Sequence, residues 1–274
     1  MKRMLMLVLV LPALSGLLLV GCGDDDSTET QSGSGTAGAP SAAPHSGLEG
    51  SITVSGAKSL ADAFDRIGED FRAANPGVEV IFTFDSSTTL ATQILDGAPA
   101  DVFASASSAD MTRLTDAGLI AGKPVVFARN TLIIITKPGN PERIGSLADL
   151  ADAGVISLCG EGVPCGRYAK EALDAADVVI PESSVTRGQN AGATLTAVAE
   201  GDAIAGIVYV TDALGAGDSI ESVELPDGEN VIAGYPIGVR EASTNSAVAK
   251  AFVAYVLSDE GQATLAAFGF LGPT

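Results

Sequence analysis

Residues 48–274 of this 274-residue chain predict an α/β fold with two lobes. Three observations lead there. Short runs rich in Val, Ile and Thr alternate with amphipathic stretches of helical period, which is the pattern of βα units packed around parallel sheets. Firm stops such as Asn75-Pro76-Gly77 separate the two kinds of segment. The 227 residues of this region suit one large domain or two small ones, and two lobes are the expectation.

In chain order, strands are expected at 52–56, 78–84, 102–106, 131–136, 155–159, 205–210 and 231–239. The helix expected at 60–74 reads LADAFDRIGEDFRAA and sets Leu60, Phe64, Ile67 and Phe71 on one stripe. The last segment, 247–268, is helical and broken near 258–261. No internal repeat argues for a solenoid.

The N-terminal region gives the chain an address. Lys2 and Arg3 precede an apolar run that stops at Leu19-Val20-Gly21-Cys22. Residues 1–21 thus read as a lipoprotein signal peptide, with Cys22 the acylated first residue of the mature chain. The alternative is an uncleaved transmembrane anchor, which Pro12, Ser15 and Gly16 weaken. Either way, the bulk of the chain is expected outside the cytoplasm. Residues 22–47 hold Cys22 and then no large apolar side chain, so they read as a flexible tether from lipid to domain.

Composition excludes several classes of chemistry. Without residues 1–21 the chain carries 34 acidic and 13 basic residues, a net charge of −21. Nucleic acid is therefore not an expected partner, because phosphate backbones are held by clustered Lys and Arg. The one histidine, His45, falls in the tether. That leaves the folded part without Ser-His-Asp, Cys-His or His-ligated metal chemistry.

Four expected helix starts carry small or hydroxyl residues. Ser59 precedes Leu60; Ser86-Ser87-Thr88-Thr89 opens the second; Val163-Pro164-Cys165-Gly166 and Asn190-Ala191-Gly192-Ala193 open the third and fourth. Each start presents amides without intrahelical acceptors at a positive dipole end, where an anion binds. Any one alone is most simply an N-cap. Four of them after four strands point to a ligand site beyond the carboxyl ends of the sheets.

The stretches SGAKSLADAF (55–64), FDSSTTLATQILDGAPADVFASA (84–106), VPCGRYAKEAL (163–173) and GIVYVTDA (206–213) resemble the periplasmic molybdate-binding proteins of ABC importers. FVAYVLSDEGQATLAAFGF (252–270) is similar to that family's closing helices. The resemblance implies a type II periplasmic-binding-protein fold, with two α/β lobes joined by two crossing segments and the ligand in the cleft. The crossings are expected near 127–131 and 235–237. They divide the chain into a first lobe of 48–129 plus 237–274 and a second of 130–236.

The same resemblance assigns the oxyanion-binding set. Ser59 and Ser87 would supply hydroxyls and amides, Cys165 and Ala191 backbone amides, and Tyr209 a phenol. It also implies delivery of molybdate or tungstate to a membrane permease by a monomeric, lipid-anchored protein. Molybdenum would be held only as its oxyanion, without direct metal ligands, and no cofactor is expected.

The assigned donors are neutral, which suits an oxyanion that carries no proton of its own: molybdate, tungstate or sulfate. Asp85, the one acidic residue at these starts, is expected to point outward. Lys58 and Asp85 stand where the family usually has small residues, Cys165 where alanine is common and Ala191 where a larger aliphatic is common.

With Cys22 lipidated, Cys159 and Cys165 remain, and an oxidising compartment favours a disulfide between them. Two free buried thiols or a metal site are the alternatives, the latter short of ligands. Tyr168 and Tyr255 are expected to serve packing and Arg187 to be a solvated loop residue. The rival readings are a binder of another oxyanion such as sulfate, a ferric-ion binder, and a hydrolase with Ser87 or Ser59 as nucleophile and Lys58 as base. The hydrolase lacks a G-x-S-x-G elbow, and no enzyme activity is expected.

Overall fold

The structure is a computed structural model that describes residues 47–274. The leader expected at 1–21, Cys22, His45 and the rest of the tether up to residue 46 lie outside the described residues.

Strand β1 (Gly50–Ala57) is buried along its last four residues, as the core strand of a sheet covered on both faces must be. A 3-10 turn at Lys58–Leu60 leads directly into helix α1 (Ala61–Ala74). Its stripe of Phe64, Ile67 and Phe71 is buried, and Asn75 ends it by donating from Nδ2 to the Phe71 carbonyl at 2.9 Å. Strand β2 (Val78–Asp85) then pairs parallel with β1 along its whole length.

Helix α2 (Ser87–Leu95), strand β3 (Val102–Ala104), helix α3 (Ser108–Asp116) and strand β4 (Val125–Asn130) follow. The chain returns to this sheet at the end, as strand β10 (Ala233–Val239) between β3 and β4. Helices α7 (Ser246–Val256) and α8 (Asp259–Ala267) close it. The first sheet therefore runs β2-β1-β3-β10-β4, with β10 antiparallel to both neighbours.

The second sheet takes everything between. Strand β5 (Leu132–Thr136), β6 (Ile156–Cys159), helix α4 (Pro164–Ala175), β7 (Val185–Gly188), α5 (Ala191–Ala199), β8 (Ala205–Tyr209), α6 (Val210–Ala216) and β9 (Glu221–Glu224) form it. Its order is β7-β6-β8-β5-β9, and β6 is parallel to both β7 and β8. Two sheets with helices between their strands make the α/β fold expected from the alternation of segments.

The structure corrects the expected crossings. Phe127 to Asn130 belong to β4, so Thr131 alone separates the two sheets on the first passage. The second passage occupies 225–232, upstream of the expected 235–237. Tyr235 and Ile237 lie inside β10, where Tyr235 pairs with Ala128 and Ile237 with Ala104 and Val125. Asn230 joins the two passages: its side chain accepts from the Leu132 amide and donates to the Leu132 carbonyl, both at 2.9 Å. Strands β7 and β9 were not expected at all. Both are sheet edges with no buried residue, so neither carries an apolar signal.

The two halves of the core differ in kind. All nine phenylalanines lie outside 131–232. Phe252 stands at their centre, with ring centroids 6.0 Å from Phe64, 5.5 Å from Phe71 and 6.1 Å from Phe82. The second sheet is packed instead by aliphatic side chains such as Ile134, Ile156, Leu158 and Ile207.

Candidate functional site

The helix starts singled out by sequence meet around one cavity. Ser59, Ser87, Cys165, Ala191 and Tyr209 all line it, together with Ala57, Lys58, Asp85, Ser86, Ala106, Pro164 and Asn190. The wall thus comes from both sheets: the ends of β1 and β2 on one side, the starts of α4 and α5 and the end of β8 on the other. The cavity's free volume is about 10 Å³, room for one small polar occupant.

Each donor is held by its own local chemistry. Ser86 is the N-cap of α2, accepting from the Thr89 amide at 3.1 Å, so Ser87 is left as the first helical residue with its hydroxyl turned to β3. There Ser87 Oγ accepts the Ala106 amide at 2.9 Å, which orients the hydroxyl and leaves its proton to donate elsewhere. Ser59 Oγ lies 2.8 Å from the Tyr235 hydroxyl. Tyr235 in turn receives a hydrogen bond from Asn130 Nδ2 at 3.3 Å, and the same amide group donates to Thr211 Oγ1 at 2.9 Å. Ser59 is therefore fixed by a chain of polar groups, through Tyr235 and Asn130, that runs to Thr211 of α6.

The third and fourth starts offer main-chain groups. Pro164 occupies the first turn of α4, where its missing N–H costs nothing, and Cys165 follows it. Gly166 is required here, because a methyl group would run into the Gly160 carbonyl. Cys159 and Cys165 are joined by a disulfide with Cα atoms 5.7 Å apart, which ties the start of α4 to the end of β6. The N-cap of α5 is Asn190, whose Oδ1 accepts the Ala193 amide at 2.9 Å. Ala191 is then the first helical residue, with its amide among those that lack an intrahelical acceptor.

Tyr209 completes the wall from the end of β8. Its hydroxyl is buried and has no hydrogen-bond partner among the described residues. A buried polar atom without a partner costs about 1–3 kcal/mol, so such a group is kept where a ligand satisfies it. Burial first, and the neighbouring Tyr235 second, push the Tyr209 phenol well above its ordinary range. It therefore stays protonated and acts as a neutral donor. Tyr235, also raised by burial, faces it edge-on with ring centroids 6.0 Å apart.

Two charged residues join this wall that the neutral donor set did not include. Lys58 lines the cavity, and a side chain at Gly192 would come within 3.1 Å of its Cε. Asp85 does not point outward: its Oδ1 accepts from the Ser86 amide at 2.7 Å and from Asn190 Nδ2, across the cleft, at 2.9 Å. Its charge is directed at donors of the wall. Arg187 is not among the lining residues; it donates to the Cys159 carbonyl at 3.1 Å and pairs with Glu182 at 2.6 Å.

Sequence reasoning missed Tyr235, Asn130 and Asp212. Asp212 Oδ2 accepts the Tyr209 amide at 3.2 Å at the start of α6, and burial pushes its carboxyl up to about 7. An acid three residues after a strand end is the one sequence signal that was available for it. Tyr235 and Asn130 gave none, since their partners are 176 and 81 positions away.

Comparison with known proteins gives the family and the fold. Residues 52–271 match the family model of bacterial extracellular solute-binding proteins. The molybdate-binding protein ModA of Mycobacterium tuberculosis is 40% identical over 260 residues, covering 93% of each chain. Among solved structures, the periplasmic molybdate-binding protein of Azotobacter vinelandii superposes with a TM-score of 0.74 at 19% identity, over 81% of this chain and 100% of that one. The sulfate-binding protein SubI of M. tuberculosis superposes with a TM-score of 0.71 at 21% identity, over 80% and 86%. At such identities these two establish the fold alone, which is that of periplasmic binding proteins. With the family model spanning its folded part and a 40% identical relative along nearly its whole length, the chain belongs to the bacterial extracellular solute-binding proteins, in the ModA group.

Proposed function

We propose that this protein binds molybdate, and tungstate alongside it, in the cavity between its two sheets and delivers the anion to the permease of an ABC importer. The observation that carries this reading is the buried, partnerless hydroxyl of Tyr209 in a small cavity walled by four helix starts. A tetrahedral dianion supplies several acceptor atoms at one point. Hydroxyls of Ser59, Ser87 and Tyr209, with amides at Ser59, Ser87, Cys165 and Ala191, supply the donors. Removed from water, such charge-assisted bonds are about twice as strong as neutral ones.

The donor set favours an anion without a proton. A hydrogen phosphate would need an acceptor for its own O–H; Asp85 of the wall spends Oδ1 on Ser86 and Asn190, so Asp85 Oδ2 is the group a phosphate would have to reach. Molybdate, tungstate and sulfate differ in size rather than charge, so the cavity's dimensions select among them. Molybdate comes first in this reading because the 40% identical relative is a molybdate-binding protein. Sulfate is the second reading, because it too is a tetrahedral dianion without a proton and would accept from the same neutral donors.

In this reading the protein works as a monomer outside the cytoplasm, held to the membrane by lipid on Cys22, and needs no cofactor and catalyses no reaction. The acyl anchor rests on the Leu19-Val20-Gly21-Cys22 sequence. Calorimetric titration with molybdate, tungstate, sulfate and phosphate tests the ligand. Tight binding of the first two with weak sulfate binding is expected; tight sulfate binding beside weak molybdate binding overturns the assignment. Mass spectrometry of protein extracted from its native membrane should find a diacylglyceryl group on Cys22.

A further inference from the structure

A second contact across the cleft lies beside the cavity and touches none of its lining donors. Arg167 leaves α4 of the second lobe and reaches α3 of the first. Its NH2 lies 2.6 Å from Oδ2 of Asp110 and donates to Ser107 Oγ at 3.0 Å. Its NH1 donates to the Gly162 carbonyl at 2.6 Å, so the guanidinium is braced on its own lobe before it crosses. Thr88 Oγ1 stands 3.0 Å both from Asp110 Oδ1 and from the Gly162 carbonyl, a further bridge between the lobes. Asp110 is 2% exposed.

The sequence positions tie this cluster to the anion. Thr88 follows Ser87 on α2, and Arg167 comes two residues after Cys165 on α4, so two helix starts of the cavity wall meet at Asp110 of α3. The guanidinium is close enough that its charge is felt at the Tyr209 phenol. We propose that Arg167 and Asp110 form an interlobe clasp, positioning residues that hold the two helix starts against a bound oxyanion and set how slowly it leaves. This rests on the reading of the cavity as an oxyanion site.

The physics favours a clasp over mere surface decoration. An exposed ion pair contributes little, but here one partner is buried and its other oxygen faces Thr88 Oγ1. Removing the arginine leaves Asp110 buried with only Arg113 of its own helix, 3.5 Å away, as a countercharge, and the penalty falls on the arrangement in which the two lobes meet. Interface changes of this kind act on the dissociation rate far more than on association.

The test uses the whole folded protein and radiolabelled molybdate, with association and release followed by rapid filtration. Arg167→Met and Asp110→Asn should each speed release about tenfold while association stays within about twofold. The double variant should release hardly faster than either single one, because both remove the same contact. Thr88→Val, which removes the neighbouring bridge without stranding a charge, should speed release by a smaller factor and serves if Asp110→Asn does not fold. Release rates unchanged in Arg167→Met, or losses that simply add in the double variant, overturn the clasp. If the unaltered protein takes up no molybdate, the proposed function falls instead. Small-angle scattering then judges the clasp alone: Arg167→Met must show a larger radius of gyration than the unaltered protein, and an equal radius overturns it.

Discussion

The two lobes solve the same problem, holding a loop-and-helix start rigid at the rim of a sheet, by different means. The first lobe contains all nine phenylalanines, and aromatic packing around Phe252 supports the ends of β1 and β2. Its candidate donors include the side chains of Ser59 and Ser87, each set by a hydrogen bond to a neighbour. The second lobe has a smaller, aliphatic core and secures its third helix start covalently, through Cys159–Cys165. Its candidate donors, Tyr209 apart, are main-chain amides, whose direction the helix itself determines. Where a large core is present, side chains can be oriented by packing; where it is thin, the backbone is fixed by a staple.

The largest effect expected from this contrast concerns the aromatic core. Phe252→Ala should cost about 3–5 kcal/mol in denaturant unfolding, because three rings lose their common partner. A cost under about 1 kcal/mol would mean that the first lobe does not depend on its aromatic centre.

Next come the donors. Ser87→Ala removes a hydrogen bond to a charged group, about 1.5–3 kcal/mol, or roughly 10- to 150-fold in oxyanion affinity by calorimetry. Ala191→Ser alters a side chain while keeping the amide, and its affinity should stay within about threefold. Equal losses from both would erase the distinction between side-chain and main-chain donors.

Breaking the staple should matter less to stability and more to the site. Replacing Cys159 and Cys165 together by serine should lower stability by about 2 kcal/mol, since the closed loop is short. It should also weaken oxyanion binding, because the start of α4 loses its tie to β6. Unchanged affinity would show that Gly166 and the packing of α4 suffice to hold that turn.

A further effect is a pH slope. Burial raises the Asp212 carboxyl to about 7, against the opposing hydrogen bond from the Tyr209 amide. The folded protein thus holds this proton more tightly than the unfolded chain does. The stabilisation is complete below the ordinary carboxylate range and is lost as pH rises to about 7. Asp212→Asn should flatten the stability profile between about pH 4 and pH 7 relative to the unaltered protein. An identical profile would mean that Asp212 is not the group that titrates.

Much of this molecule is written locally. The strands at 52–56, 78–84 and 205–210 and the Phe64-Ile67-Phe71 stripe follow from periodicities of two and 3.6, which side-chain burial enforces residue by residue. Two of the four helix starts were legible for the same reason: Ser86 and Asn190 are N-caps whose side chains accept amides of the first turn. The edge strands β7 and β9 were not, because exposed edges impose no apolar pattern. The crossing through 225–232 was not, because its end is decided by which partner strand β10 meets.

The sequence by itself determined the α/β class, the expected address, the donor types and the pairing partners available to two cysteines, all of which depend on residue identity and spacing along one segment. Only the tertiary structure decided that five residues from four helix starts and one strand end share a single cavity, that Tyr235 stands behind Ser59, and that Asp85 turns inward to Asn190. It alone brought Arg167 to Asp110, 57 positions away. Those are contacts between groups far apart in the chain, and their geometry is set by how two sheets pack, a property that no local pattern of residues encodes.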